Sequence, residues 1–214
     1  MTLIKPTSIL LAFVIVSSCS RKSETTPVIE GENRMIPISK IQSDPNFIQL
    51  IKDQIDFYTN VQNPTKIKEV LADGQITKEE YQHYPSYFGY QSASKFEDYF
   101  LVLNQRSSYL NATYNFKDLS RDEKKAVLAE GFRRALTHKL NPELSLTDGT
   151  CESIRVNCII AVSAETAIMH LGCVAADFTV ILGIICHSAA TAYQISAGNT
   201  CNTNYQQCRN AAIQ

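Results

Sequence analysis

Cysteines are the residues of this sequence whose spacing most clearly indicates chemistry. The chain has seven, and six lie in its last third, at Cys151, Cys158, Cys173, Cys186, Cys201 and Cys208. The intervals between these six are 7, 15, 13, 15 and 7 residues, a series that reads the same in both directions about a midpoint of 179.5. Cysteines form disulfides or bind metal ions, and this symmetry favours disulfides between two antiparallel segments.

Helical geometry makes the pairing specific. At 100° per residue, the first three of the six cysteines fall within an arc of about 60° on one helix, and the last three do so on another. Cys151 and Cys158 cannot bond to each other on a continuous helix, because seven residues rise about 10.5 Å, whereas disulfide-linked Cα atoms lie within roughly 7 Å. A chain that folds back near residue 179 instead predicts the nested pairs Cys151–Cys208, Cys158–Cys201 and Cys173–Cys186.

Zinc binding is the alternative role for two of these six cysteines. His170 and Cys173 precede the fold-back point, Cys186 and His187 follow it, and all four are residue types that bind zinc. Their spacing is not that of a zinc finger, and disulfides account for all six cysteines without a metal. We therefore predict disulfides here, and we expect neither a metal nor a cofactor.

The helix count of the cysteine-rich segment, residues 146–214, remains open. Its fold-back turn must lie within "VAADFTVILGII", residues 174–185, where Asp177 and Gly183 are the turn or cap residues. A break at Gly198 would make three helices instead of two. The uncharged run 178–197 is long enough to span a bilayer, but its serine, threonine and glutamine residues favour a buried helix.

Residues 43–145 have the pattern of capped helices. Proline follows Asp44 and Asn63, as it commonly does at the first position of a helix. Three capping boxes follow, formed by Thr77 with Glu80, Ser94 with Glu97, and Ser120 with Glu123. Apolar residues recur at helical spacing after these starts. The sequence therefore predicts an all-α fold, a bundle of short helices followed by a disulfide-stapled antiparallel helical hairpin at 146–214.

A tyrosine cluster in "YQHYPSYFGYQ" is the candidate binding site, formed by Tyr81, Tyr84, Tyr87 and Tyr90. Exposed rings would bind sugars or a partner protein, whereas buried rings would close the core between two helices, and burial is the favoured interpretation. The preceding "EVLADGQITKEE" is similar to a calcium-binding EF-hand loop at Asp73, Gly74 and Glu80. Leucine at its third position, Leu71, cannot bind calcium, so a helix–turn–helix is favoured.

The N-terminus has the layout of a secretory signal, predicted at residues 1–18. Lys5 precedes the apolar run from Ile9 to Val16, and small residues follow. The tetrapeptide "VSSC" that ends at Cys19 resembles the lipobox of bacterial lipoproteins. This resemblance implies cleavage before Cys19, a lipid on its sulfur and, because serine follows it, sorting to the outer membrane. Residues 19–42 contain Pro27, Gly31 and Pro37, and are predicted to form a flexible tether.

Composition narrows the functional classes. The net charge of −1 argues against a nucleic-acid-binding protein. A catalytic motif such as G-x-S-x-G is absent from the sequence, and we predict no catalytic residues. The expected function is a non-catalytic binding or structural role at the cell envelope, with the membrane as one partner through the lipid and an envelope protein or a glycan as another.

A second function remains open for the cysteine-rich segment. Residues 151–214 contain no lysine and six cysteines, a composition similar to that of secreted antimicrobial peptides. The stretch "LNPELSLTDGT", residues 140–150, would be the cleavage site in a precursor of a secreted, disulfide-stapled, bacteriocin-like peptide.

Overall fold

The structure is a computed structural model that describes residues 38–72, 76–140, 149–173 and 180–212. The helices in these ranges are α1 (Ile38–Ser43), α2 (Pro45–Thr59), α3 (Pro64–Val70), α4 (Lys78–Tyr87), α5 (Ala93–Tyr114), α6 (Arg121–Leu140), α7 (Cys151–Cys173) and α8 (Val180–Ala211). None of the described residues forms a strand, so the prediction of an all-α fold is confirmed. Several predicted features lie outside the described residues: the signal segment, Cys19, most of the tether, the Asp73-Gly74 turn and the fold-back turn.

Most of the predicted helix starts are confirmed. The Asp44 carboxylate accepts the Asn46 N–H at 2.7 Å, and the Asn63 side chain accepts the Lys66 N–H at 3.1 Å. The capping boxes Thr77–Glu80 and Ser120–Glu123 form in both directions, since each hydroxyl accepts a backbone N–H and each carboxylate accepts one in return. Local side-chain chemistry therefore determines where these four helices begin.

The capping box predicted at Ser94 is wrong. Helix α5 begins two residues earlier than predicted, and the Ser92 hydroxyl accepts the Lys95 N–H at 3.3 Å. The Glu97 carboxylate accepts a hydrogen bond from the Tyr81 hydroxyl of α4 instead of from the backbone. A tertiary contact between α4 and α5 therefore uses the acidic side chain that the local motif assigned to capping.

The predicted tether is too long at its C-terminal end. Residues 38–43 form α1, which contacts α2 and α6. Ile41 is 2% exposed, and the Gln42 Oε1 atom accepts a hydrogen bond from Arg134 at 3.2 Å. Burial of Ile41 stabilises this short helix, which would be marginal in isolation.

A single hydrophobic core joins the two predicted parts of the chain. The buried residues that α7 and α8 contribute to it are Val156, Ile160, Ala164, Ala167 and Ile184. They belong to the same cluster as Phe47, Phe57 and Leu128 of the preceding helices. The change of composition near residue 146 therefore does not divide the core.

Helices α7 and α8 form the predicted antiparallel hairpin. Helix α8 continues through Gly198, so the alternative with three helices is wrong for the described residues. Among them, α7 is the helix that is long and apolar enough to cross a bilayer, and 44% of that apolar stretch is buried within the protein. Helix α7 packs against α6 and α8.

Candidate functional site

Three disulfides connect the facing sides of α7 and α8. They join Cys151 to Cys208, Cys158 to Cys201 and Cys173 to Cys186, with Cα–Cα distances of 5.7, 5.7 and 5.5 Å. These are the pairs that the symmetric spacing predicts. Because Cys173 and Cys186 are bonded to each other, neither offers a thiolate to the zinc set that the sequence left as an alternative.

A buried pair of histidines lies near the closed end of the hairpin. The Nδ1 atoms of His170 and His187 are 2.7 Å apart, a hydrogen bond in which one ring donates and the other accepts. His187 stacks on Phe100, and His170 meets Phe57 edge-on. Burial lowers the pKa of His170 well below its ordinary value, and His187 lowers it further, so His170 is neutral at pH 7.

Polar side chains extend the histidine pair along the hairpin, and we call the whole set the polar seam: Ser163, Thr166, His170, His187, Thr191 and Gln194. The Thr166 hydroxyl donates to Gln194 Oε1 at 2.6 Å, and Gln194 Nε2 donates to the Ser163 hydroxyl at 3.1 Å. The Thr191 hydroxyl donates to the backbone carbonyl of His187. These bonds satisfy most of the buried polar atoms of the seam, although His170 Nε2 has no hydrogen-bond partner among the described residues, and they help to set the register of the hairpin.

The spacing of the polar residues in the sequence could have predicted that they face each other in the polar seam. His170 with His187, Thr166 with Thr191, and Ser163 with Gln194 all share a midpoint of 178.5, one residue from the midpoint of the cysteine pairs. Antiparallel helices place residues with a common midpoint opposite each other. The reasoning that pairs the cysteines therefore also places these polar residues on facing sides of the two helices, although Thr166 bonds to Gln194 rather than to Thr191.

The tyrosine cluster lies mainly in the core. Tyr84 is fully buried, and its ring centroid lies 5.3 Å from that of Phe88. The other three candidates, Tyr81, Tyr87 and Tyr90, are partly buried and pack against the core. This placement agrees with the interpretation in which the rings close the core rather than form an open platform for a sugar.

The residues that resemble an EF-hand have other partners. Glu69, which stands at the first position of the loop and departs from the calcium-binding pattern there, forms an ion pair with Lys66. The Glu80 carboxylate, at the twelfth position, accepts the Thr77 N–H in the capping box. Asp73 and Gly74 lie outside the described residues. Within the described ranges, no group of three or more histidine, cysteine, aspartate or glutamate residues is placed to hold a metal ion.

A groove of about 780 Å³ opens between α1, α2 and α6. Its apolar lining includes Phe47, Ile48, Ile51, Ile55 and Ala135, and its polar lining includes Gln42, Lys52, Asp56 and Arg134. Gly131 allows α6 to approach α2, because a Cβ atom there would lie 2.8 Å from Phe47 Cε1. The sequence did not indicate this groove, since one of its walls is α1, which was assigned to the tether.

The open end of the hairpin brings two distant arginines to one aromatic ring. The Cζ atoms of Arg155 and Arg209 lie 5.1 and 5.8 Å from the centroid of the Tyr205 ring. The Nε atom of Arg155 also donates to the Asn202 side chain at 2.9 Å. We call these four residues the arginine cluster. Sequence reasoning missed it, although Arg155 and Arg209 are the only basic residues between 151 and 214 apart from the two histidines.

Comparison of the chain with protein-family models, with curated proteins and with solved structures finds no significant match. The function must therefore be inferred from the residues and geometry of this chain.

Proposed function

We propose that the protein is a lipid-anchored protein of the bacterial cell envelope with a non-catalytic binding or structural role. The cysteine pairing supports this most directly. Six of the seven cysteines pair with one another, which leaves no cysteine within the chain as a partner for Cys19. Lipid attachment accounts for a seventh cysteine at the end of a signal-like segment.

The disulfides also support an exported location. Disulfides form and persist in oxidising compartments such as the bacterial periplasm and the cell surface, whereas cytosolic thiols are kept reduced. Three disulfides in one helical hairpin are therefore consistent with a chain that its N-terminal signal directs out of the cytosol. Acyl chains on Cys19 would then hold it at the membrane, because each buried methylene contributes about 0.8 kcal/mol.

Hydrogen bonds within the polar seam support a structural role for these side chains. Thr166, Gln194 and Ser163 bond to one another, and His170 bonds to His187. The groove between α1, α2 and α6 and the arginine cluster both offer contact surfaces for a ligand or a partner protein. Binding is the function that these surfaces support.

The packing of the hairpin counts against release of a bacteriocin-like peptide. Helix α7 contributes four buried residues to the shared core, and α6 packs directly against it. Cleavage between α6 and α7 followed by release would expose apolar surface on both fragments, at a cost of about 25 cal/mol per Å². A stable fragment that begins near Cys151 in the culture medium would instead favour the precursor function.

Mass spectrometry of the native protein tests the proposal. We expect a mature chain that begins at Cys19, carries acyl chains and fractionates with the outer membrane. The Cys19→Ser variant should lack the lipid mass and leave the membrane fraction, whereas a Ser18→Ala control should keep both properties. An unlipidated wild-type chain in the soluble fraction would contradict the proposal.

A further inference from the structure

The open end of the α7–α8 hairpin has the chemistry of a binding site for an acidic oligosaccharide. We propose that the arginine cluster and the amide side chains beside it bind a sugar chain that carries carboxylates. This inference rests on the proposed non-catalytic binding role and names the class of its ligand. It does not depend on where the lipid is attached.

The two guanidinium groups are close enough to act on one ligand. Since both lie within 6 Å of the Tyr205 ring centroid, their Cζ atoms are within about 11 Å of each other. Even this upper limit is comparable to the Debye length of ~10 Å at 0.1 M salt, so both charges act on an anion that binds between or beside them. Guanidinium binds carboxylates through paired, charge-assisted hydrogen bonds.

The local charges leave the arginine cluster with a positive excess. Arg155 pairs with Glu152 at 3.3 Å, and both side chains are more than one-third exposed. Arg209 is exposed and, among the residues that the structure describes, forms no ion pair. Glu165, the other described acidic residue of the hairpin, pairs with Arg121 and Lys125. One guanidinium is therefore available to an external anion.

The surface around Arg209 is polar but otherwise uncharged. Of the nine exposed residues between 199 and 210, all except Arg209 carry an amide or a hydroxyl: Asn199, Thr200, Asn202, Thr203, Asn204, Gln206, Gln207 and Asn210. An exposed helix face usually carries lysine and glutamate. Amides both donate and accept hydrogen bonds, as the hydroxyl groups of a sugar require.

Helical spacing aligns these groups with the arginine cluster. Asn202, Tyr205, Gln206 and Arg209 occupy positions i, i+3, i+4 and i+7 of α8, which share one face. The Tyr205 ring is occupied by guanidinium groups, so it positions the arginines rather than stacking on the sugar. The ligand would contact the guanidinium and amide edges.

The two outer disulfides hold this face in place before a ligand arrives. Cys201 and Cys208 flank the stripe on α8, and their partners Cys158 and Cys151 lie three and four residues from Arg155. A rigid site loses little conformational entropy on binding. A nucleic-acid ligand fits less well, because its phosphates require many cations and this segment has two arginines.

Calorimetric titration of the full chain in detergent, with its disulfides intact, tests the inference. The probe is hexagalacturonate, and the matched probe is its fully methyl-esterified form, which has the same ring hydroxyls but no charge. We expect hexagalacturonate to bind and the ester to bind at least about tenfold more weakly, since charge-assisted bonds contribute most of the affinity. Inorganic phosphate at the same concentration should not displace hexagalacturonate.

Variants separate the site from general electrostatic attraction. Arg209→Gln should weaken hexagalacturonate binding about tenfold or more, and Gln206→Ala should weaken it by a smaller factor. Lys68→Gln removes an exposed positive charge from α3 and should leave the affinity unchanged. The inference would be overturned if hexagalacturonate did not bind, if the ester bound equally well, or if phosphate displaced hexagalacturonate. It would also be overturned if Lys68→Gln weakened binding as much as Arg209→Gln, or if the protein preferred a single-stranded oligonucleotide. Lipidation of Cys19 is measured separately, so failure of the proposed location would be distinguishable.

Discussion

His170 and His187 share a hydrogen bond of 2.7 Å between their Nδ1 atoms, and both side chains are buried, with exposures of 0 and 1%. One histidine comes from each helix of the hairpin. Phe57 of α2 and Phe100 of α5 contact this pair, so it also lies against the rest of the core. These ring contacts therefore connect the closed end of the hairpin to the earlier helices.

The protein should lose stability in mild acid because of this pair. The pKa of His170 is lowered in the folded state by burial and by His187. The unfolded chain therefore binds a proton below its ordinary pKa of about 6.5, while the folded chain does not. The stabilisation is complete above pH 6.5 and decreases as the pH falls toward the folded pKa.

Urea unfolding at pH 7.5, 6.0 and 5.0 measures this effect. The free energy of unfolding should fall by up to about 1.4 kcal/mol per pH unit below pH 6.5. His170→Gln should flatten this dependence, whereas His83→Gln should not, because His83 is exposed in the folded chain. An unchanged slope in His170→Gln would assign the pH dependence to other groups.

The three disulfides should contribute similar amounts to stability, although their sequence separations are 57, 43 and 13 residues. Because the bridges are nested, the two that remain after one is removed still close most of its loop, and the loop-entropy model predicts a loss of about 3 kcal/mol for each. Cysteine-to-serine variants of each pair, compared by denaturant unfolding, test this equality. A loss for Cys151–Cys208 that exceeds the other two by more than about 1 kcal/mol would contradict the entropic explanation.

The start of α5 can be tested with two neighbouring serines. Ser92→Ala removes the side chain that accepts the Lys95 N–H and should lower the free energy of unfolding by about 1 kcal/mol. Ser94→Ala lies within the first turn of α5 and should change it by only a few tenths of a kcal/mol. The opposite result would restore the capping box that the sequence predicts at Ser94.

Two helical glycines should respond in opposite directions to alanine. Alanine is favoured over glycine within a helix by about 1 kcal/mol. Gly198→Ala should gain most of this, because the added Cβ would meet no other side chain and no other helix within 4 Å. Gly131→Ala should instead destabilise the protein by about 1–2 kcal/mol, because its Cβ would lie 2.8 Å from Phe47 Cε1. Thermal unfolding of both variants measures the contrast, and a stabilised Gly131→Ala variant would show that α2 and α6 can separate.

Several features could be predicted from the sequence. The all-helical class and four helix starts depend on short-range chemistry, and the three disulfide pairs depend on the symmetric spacing of the cysteines. Asp44 and Asn63 bond within their own first turns, and the nested cysteines permit one face-to-face arrangement. Ser94 was misassigned because Glu97 binds Tyr81, a partner 16 residues away. Such a competing partner is invisible to a local motif.

By itself, the sequence determined that the chain is all-helical, at which residues several helices begin and which cysteines pair. These features depend on apolar periodicity, on capping residues and on cysteine spacing, which are local properties of the sequence. Tertiary structure alone decided that α1 joins the core and that α7 packs on α6. It also brought Arg155 and Arg209 to one tyrosine ring across 54 residues of sequence. These features depend on which apolar faces bury one another, and burial is non-directional, so no short stretch of sequence specifies its partner.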